Sequence, residues 1–185
     1  MTTKFSILIF LSLFFVLLGG FYAYIGICEP GGKLYIAFLG EHLNFVEWYA
    51  YFLSKSGALL LNVFGTNAYV VYPFRIHFEN SNGVTVGYSC MGAGINSFWI
   101  AFVAAHKIEW KIKLKWIFGG LGILVGMNII RIALIAVANY KHWSIVADVD
   151  HHTLFNIICY VIIFGLMYVF VKRLKKERAG MFEPV

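Results

Sequence analysis

The stretch Ser89-Cys90-Met-Gly-Ala-Gly94 sets a cysteine among small residues. A cysteine is the strongest ordinary nucleophile among side chains. Free cysteines are also often buried small hydrophobes, so the setting decides. Gly92 and Gly94 allow another backbone to come close. A helix beginning just after Cys90 would aim its free N–H groups and its dipole at the cysteine, a setting that suits a nucleophile. Further along, Asn128-Ile-Ile-Arg131 places an amide and a guanidinium one turn apart on a helical face, inside an apolar run. An arginine within a membrane span costs at least about 2.5–3.5 kcal/mol on insertion scales, and it normally faces the bundle interior or a water-filled cavity. His151 and His152 then open the last apolar run. An imidazole is well matched to proton transfer near neutral pH, and Asp150 could orient it. Thiol, imidazole and guanidinium together are the parts of an acyl-transfer site: nucleophile, proton carrier and oxyanion or carboxylate partner.

Each part also has a plainer reading. Arg131 could snorkel to headgroups, Asn128 could bond a neighbouring helix, and the histidines could be interface residues of a polar loop. The DVDHH string at 148–152 carries carboxylates and imidazoles, which suit zinc. Its partners would have to converge from far apart with no recognised spacing, so no metal and no cofactor are expected. Cys28, Cys90 and Cys159 show no C-x-x-C spacing. Cys159 reads as packing, and a Cys28–Cys90 disulfide remains open outside a reducing compartment.

The elements that must hold these residues are membrane elements. Of 185 residues 61% are hydrophobic and 13% charged, against about 45–50% and about 25% in soluble chains. The net charge of +6 would hint at nucleic acid in a soluble protein. Here the basic residues cluster at the ends of apolar runs and act as topology signals, so no nucleic-acid partner is expected. The fold class that follows is an α-helical polytopic membrane protein, residues 1–185 forming one domain with about four transmembrane helices, an outer amphipathic helix and a short extracytoplasmic β-hairpin. The spans fall at about 5–27, 91–106, 116–138 and 153–171. The first is read as a retained helix rather than a cleaved signal peptide, because its apolar run is long and no A-x-A site follows. The third is preceded by a basic amphipathic loop at 106–115.

Residues 34–65 read as an amphipathic or re-entrant helix, with a fifth span as the alternative. Asn44, Glu47 and Tyr51 form a polar edge; Phe45, Trp48, Phe52 and Leu59 form an apolar one. The β-branched and aromatic runs at 68–78 and 84–88, around a turn cluster at 79–83, read as a hairpin. Ten Lys and Arg fall on the side of the termini and the 106–115 loop, against four on the other. Both termini are therefore expected in the cytoplasm, with Cys90 and the 139–152 connection facing outward.

These motifs resemble those of the exosortase/archaeosortase family of membrane transpeptidases: a Cys followed by small residues, an Asn-x-x-Arg in a later span, and a His before the last span. The HHTLFN string at 151–156 and the short chain are most similar to the compact type-F members. The resemblance covers roughly residues 65–170. It implies a cysteine peptidase/transpeptidase of a bacterial inner membrane with Cys90, Arg131 and His152 as catalytic residues, His151 being the other register. Ser89, Asn128, Asn156 and Asp150 would support the site or bind substrate. The implied partners are secreted proteins with a C-terminal tail of motif, apolar helix and basic cluster, membrane lipid, and a lipid-linked or glycan acceptor. Family members often carry Gly and an aromatic four and eight residues after the histidine. Counting from His152 reaches Asn156 and Tyr160, a partial match. Two other function classes fit parts of the pattern. A small transporter or channel would use Arg131 and Asn128 as an anion site and leave Cys90 idle. A non-catalytic assembly factor for secretion would need none of the three.

Overall fold

The computed structural model describes residues 6–79, 81–141 and 151–180. Three of its helices are long and apolar enough to cross a membrane. The first, α1 (Ile7–Cys28), is an uncharged run whose Ser6 hydroxyl accepts from the Ile9 N–H. At 1.5 Å per residue its 22 residues reach about 33 Å, enough for the hydrocarbon layer. It ends where Pro30 and Gly31 break the chain, Gly31 taking a positive φ of 87°.

A short helix α2 (Ala37–His42) leads into α3 (Phe45–Val63). Asn44 caps α3: its Oδ1 accepts from the Glu47 N–H at 3.1 Å and its Nδ2 donates to the Glu47 carboxylate at 3.3 Å. Asn44 and Glu47 are thus a reciprocal cap rather than members of a polar helical edge. The buried stripe of α3 is Val46, Ala50, Leu53, Ser54, Gly57, Ala58 and Leu61, so small residues bring it close to α5. The apolar edge at Phe45, Trp48, Phe52 and Leu59 faces away from the protein and is at least half exposed. α3 is not among the three helices apolar enough to span.

The β segment has three strands, not two. Pro73 interrupts the run at 68–78. β1 (Ala68–Val71) turns into β2 (Arg75–Phe78), and β3 (Ser81–Thr85) pairs with β2. The sheet is an antiparallel meander in the order β1-β2-β3, with Val70 opposite Ile76 and Ile76 opposite Val84. Proline lacks the N–H a ladder needs, which is why one long strand is impossible there. Period-two alternation turns Ile76 and Phe78 inward, both almost fully buried. The sheet is tied to α3 by side chains: Asn62 bonds both the N–H and the carbonyl of Ala68 at 2.7 and 2.8 Å. Ser54 Oγ also lies 2.9 Å from the Phe74 carbonyl.

A 3-10 turn (Tyr88–Met91) then leads into α4 (Ala93–Ala104). At 12 residues α4 is about 18 Å long, short of the hydrocarbon thickness. It is therefore a short apolar helix, as expected of a 91–106 segment that is short for a span and can begin inside the bundle, and it is not among the three long enough to cross. α5 (Trp110–Tyr140) and α6 (His151–Gly180) are the other two long helices. α5 starts earlier than expected, so most of the basic segment at 106–115 is its first turns. α6 carries the basic tail in the same helix.

α4 packs between α1 and α5, and α6 packs on α5. Contacts fix the directions. Trp99 Nε1 donates to the Trp116 carbonyl at 3.1 Å, and Lys113 Nζ donates to the Ala104 carbonyl at 2.8 Å, so α4 and α5 are antiparallel. Phe10 of α1 meets Phe98, and Phe170 of α6 meets Trp99, Phe102 and Trp116. The start of α1, the α4–α5 connection and the basic end of α6 therefore lie at one end of the bundle. The sheet lies at the other end, where Phe78 stacks on Tyr140. One core joins α3, the sheet, the 3-10 turn and the sheet end of α5. A second, around Trp99, Phe102 and Phe170, closes the basic end.

Candidate active site

The Cys90 turn descends into the bundle. Asn128 Nδ2 donates to the Cys90 carbonyl at 2.7 Å, which joins two motifs 38 residues apart. Asn128 is buried and lies twelve residues from the end of α5 at Tyr140, about 18 Å along the axis. The chain passes from β3 to this depth as a 3-10 turn, and Gly92, at φ 70° and ψ 24°, starts α4 from there. Irregular backbone at membrane depth requires protein around it or a cavity beside it, and both are present. A left-handed φ at this position suits glycine, which has no Cβ to penalise it. No side chain caps α4, so its first N–H groups are left to the surroundings of the turn.

A cavity of about 470 Å³ lies beside the turn, lined by Ser89, Gly92, Gly94, Asn128, Arg131 and Cys159 amid Phe, Ile, Leu and Tyr side chains of α1, α4, α5 and α6. Its wall is apolar apart from these few groups. Arg131 is half-buried, three residues past Asn128 on α5. Cys90 is half-buried and packs against the core shared by α3 and the sheet. Its Sγ stands 4.0 Å from the Ser89 hydroxyl. Ser89 and Gly92 thus line the cavity, while Cys90 and Met91 between them pack toward the core and are not among its lining residues.

α6 contributes Cys159, Tyr160, Ile163 and Phe164 to the cavity. Cys159, read from sequence as packing, is a second thiol on the wall beside Arg131. His151, His152 and Asn156 open α6, where the structure describes the backbone alone. Steps of four, three and four lead along α6 from His152 through Asn156 to Cys159 and Ile163, of which the last two line the cavity. Asp150 lies outside the described residues, as does most of the 139–152 connection.

Two groups beside the turn escaped the sequence reading. Asn96, one turn into α4, donates its first helical N–H to the Gly92 carbonyl at 3.0 Å. Its side chain lies beside the Tyr49 phenol. Tyr49 Oη in turn reaches the Met91 carbonyl at 3.4 Å. The signal for Asn96 was available: an amide four residues after a glycine that must approach another backbone. Tyr49 gave none, because its partner lies 42 residues away. Toward the sheet end, burial pushes the Tyr88 phenol up, and the carboxylates of Glu29 and Glu47 add to it. Among the described residues, no three His, Cys, Asp or Glu converge as a metal site would require.

Comparison of the chain with protein-family models, with curated proteins and with solved structures finds no match to any of them.

Proposed function

We propose that the protein is a membrane-embedded cysteine peptidase/transpeptidase, similar in chemistry to the exosortases, that cuts C-terminal sorting tails from secreted proteins. The Asn128–Cys90 hydrogen bond carries this reading. It ties the backbone of the candidate nucleophile to Asn128, which lines an apolar cavity together with Ser89, Arg131 and Cys159. A transporter reading leaves this pairing of Cys90 with the Asn-x-x-Arg motif without a purpose.

The steps follow from the groups. The Cys90 sulfur adds to the scissile carbonyl carbon while its proton passes to His152. The carbonyl oxygen becomes an oxyanion, which Arg131 stabilises in a site poor in water, where a charge partner acts more strongly than in bulk solvent. The C–N bond breaks, the leaving amine takes the proton from His152, and a thioester remains on Cys90. An acceptor amine, or water, then attacks the thioester and restores the thiol. A substrate tail with an apolar helix would reach the cavity through the bilayer. By the charge bias, the site opens on the extracytoplasmic side of a bacterial inner membrane, with both termini in the cytoplasm.

The intermediate provides the test. A tagged substrate with a cognate tail is expected to form a hydroxylamine-sensitive adduct with the full-length protein. That adduct should persist in Cys159→Ala and vanish in Cys90→Ala. An adduct that survives Cys90→Ala, or depends on Cys159, overturns the assignment.

A further inference from the structure

We infer that Tyr49 and Asn96 are positioning residues for the Cys90 turn, acting together with Asn128. Three side chains from three helices converge on this turn. Asn128 of α5 bonds the Cys90 carbonyl at 2.7 Å. Tyr49 of α3 bonds the Met91 carbonyl at 3.4 Å, and the Asn96 side chain of α4 lies beside the Tyr49 phenol. A Cβ placed on Gly92 would lie 3.7 Å from the Nδ2 atoms of both Asn96 and Asn128, so the two amides flank the residue that starts α4. The peptide unit is planar. Fixing the carbonyls of Cys90 and Met91 therefore fixes the two peptide planes around the Met91 Cα, and the Cys90 N–H, which donates to the Gly87 carbonyl at 2.9 Å, fixes the plane before Cys90, so the turn that carries the thiol is held on both sides. The Asn96 amide lies beside the Tyr49 phenol, and Tyr49 donates to the Met91 carbonyl, a relay of side chains from α4 through α3 to the turn.

The cost of this arrangement argues for a role beyond packing. Asn96 Oδ1 is buried with no hydrogen-bond partner among the described residues. A buried acceptor left unpaired is unfavourable, and an apolar side chain there would avoid that cost. The relay also gives α3, otherwise a structural support for the sheet, a direct hold on the candidate nucleophile. The role in catalysis rests on the peptidase reading; the hold on Cys90 does not.

The test separates the two. Full-length protein in membranes is treated with a maleimide, and alkylation of Cys90 is followed by peptide mass spectrometry in wild type, Tyr49→Phe, Asn96→Asp and Tyr51→Phe. Tyr51 is an exposed neighbour on α3 and serves as the control. Loss of one neutral hydrogen bond is expected to raise the Cys90 alkylation rate about five- to tenfold in Tyr49→Phe and Asn96→Asp. Tyr51→Phe should match wild type, and melting temperatures should stay together. Processing kinetics in the same variants should show kcat falling by a similar factor with KM unchanged. Wild-type alkylation rates in both Tyr49→Phe and Asn96→Asp overturn the hold. Altered alkylation with wild-type kcat retains the hold but removes its catalytic role. Processing that survives Cys90→Ala defeats the peptidase reading and leaves the alkylation result standing.

Discussion

At the scale of single residues, the two candidate histidines differ by one position and by nearly a third of a helical turn. Helical spacing puts His152, and not His151, in register with Cys159 and Ile163, which line the cavity. His152→Ala is therefore expected to reduce processing by at least about a hundredfold, the lower range for loss of a general acid–base, and His151→Ala to leave it within a few-fold. Equal losses in the two would place the proton carrier elsewhere. Arg131 should not tolerate lysine, because a flexible ammonium cannot reproduce a planar fork of donors. Arg131→Lys at matched expression is expected to process about as poorly as Arg131→Ala, near the hundredfold loss typical of an oxyanion donor. Cys90, Asn128 and Arg131 were legible in the sequence because a thiol among glycines and an arginine in an apolar run are conspicuous. Tyr49 was not, since a tyrosine in an amphipathic helix has many ordinary reasons to be there.

Elements were legible where their pattern had one solution. α1, α5 and α6 are long uniform apolar runs, and their existence follows from length alone. The β segment had a misleading continuity, since Pro73 is a single residue inside eleven that otherwise read as one strand. α4 was read as longer than it is because Met91 and Gly92 belong to the apolar run by composition while Gly92 has a left-handed backbone. The α4–α5 contact makes a sharp prediction. A Cβ on Gly120 would lie 2.0 Å from Trp99 Nε1, whereas nothing lies within 4 Å of one on Gly119. Gly120→Ala is expected to lose about 1–3 kcal/mol through overpacking and to lower the melting temperature in detergent, with Gly119→Ala unchanged.

The α4–α5 connection holds a second testable group. His106 Nδ1 lies 2.8 Å from the Phe102 carbonyl, and the ring is buried against Phe102 and Phe170. Burial pushes the imidazole below its ordinary range and Lys113 adds to the shift, while the Phe102 hydrogen bond opposes it. The unfolded chain then takes up this proton first as pH falls. His106 contributes fully above the ordinary histidine range, and that contribution is lost as pH drops through the folded value. Melting temperatures measured from pH 8 down to about 5 should fall in wild type and fall less steeply in His106→Gln.

Across the whole molecule, the polar work is done at one level of a mostly apolar bundle. α3, the sheet and the Cys90 turn share one core with the sheet end of α5, while α1, α4, α5 and α6 close a second core at the basic end. The basic ends of the bundle share one end of the fold, as the charge bias leads one to expect of a chain with both termini on the same side. Reporter fusions at each terminus are expected to be inactive for an extracytoplasmic reporter, while one inserted between β2 and β3 is active. Opposite signals at the two termini would mean that α4 does not complete a crossing. The membrane class was legible from composition; the depth of the Cys90 turn was not, because it depends on a hydrogen bond between residues 38 apart.

The most direct measurement is processing in cells. The protein is co-expressed with a tagged secreted protein bearing a sorting tail that wild type trims, and tail removal is compared among wild type, Cys90→Ala and Arg131→Ala at matched membrane levels. The account predicts trimming by wild type, none by Cys90→Ala and a residual trace by Arg131→Ala. Normal trimming by Cys90→Ala would contradict it.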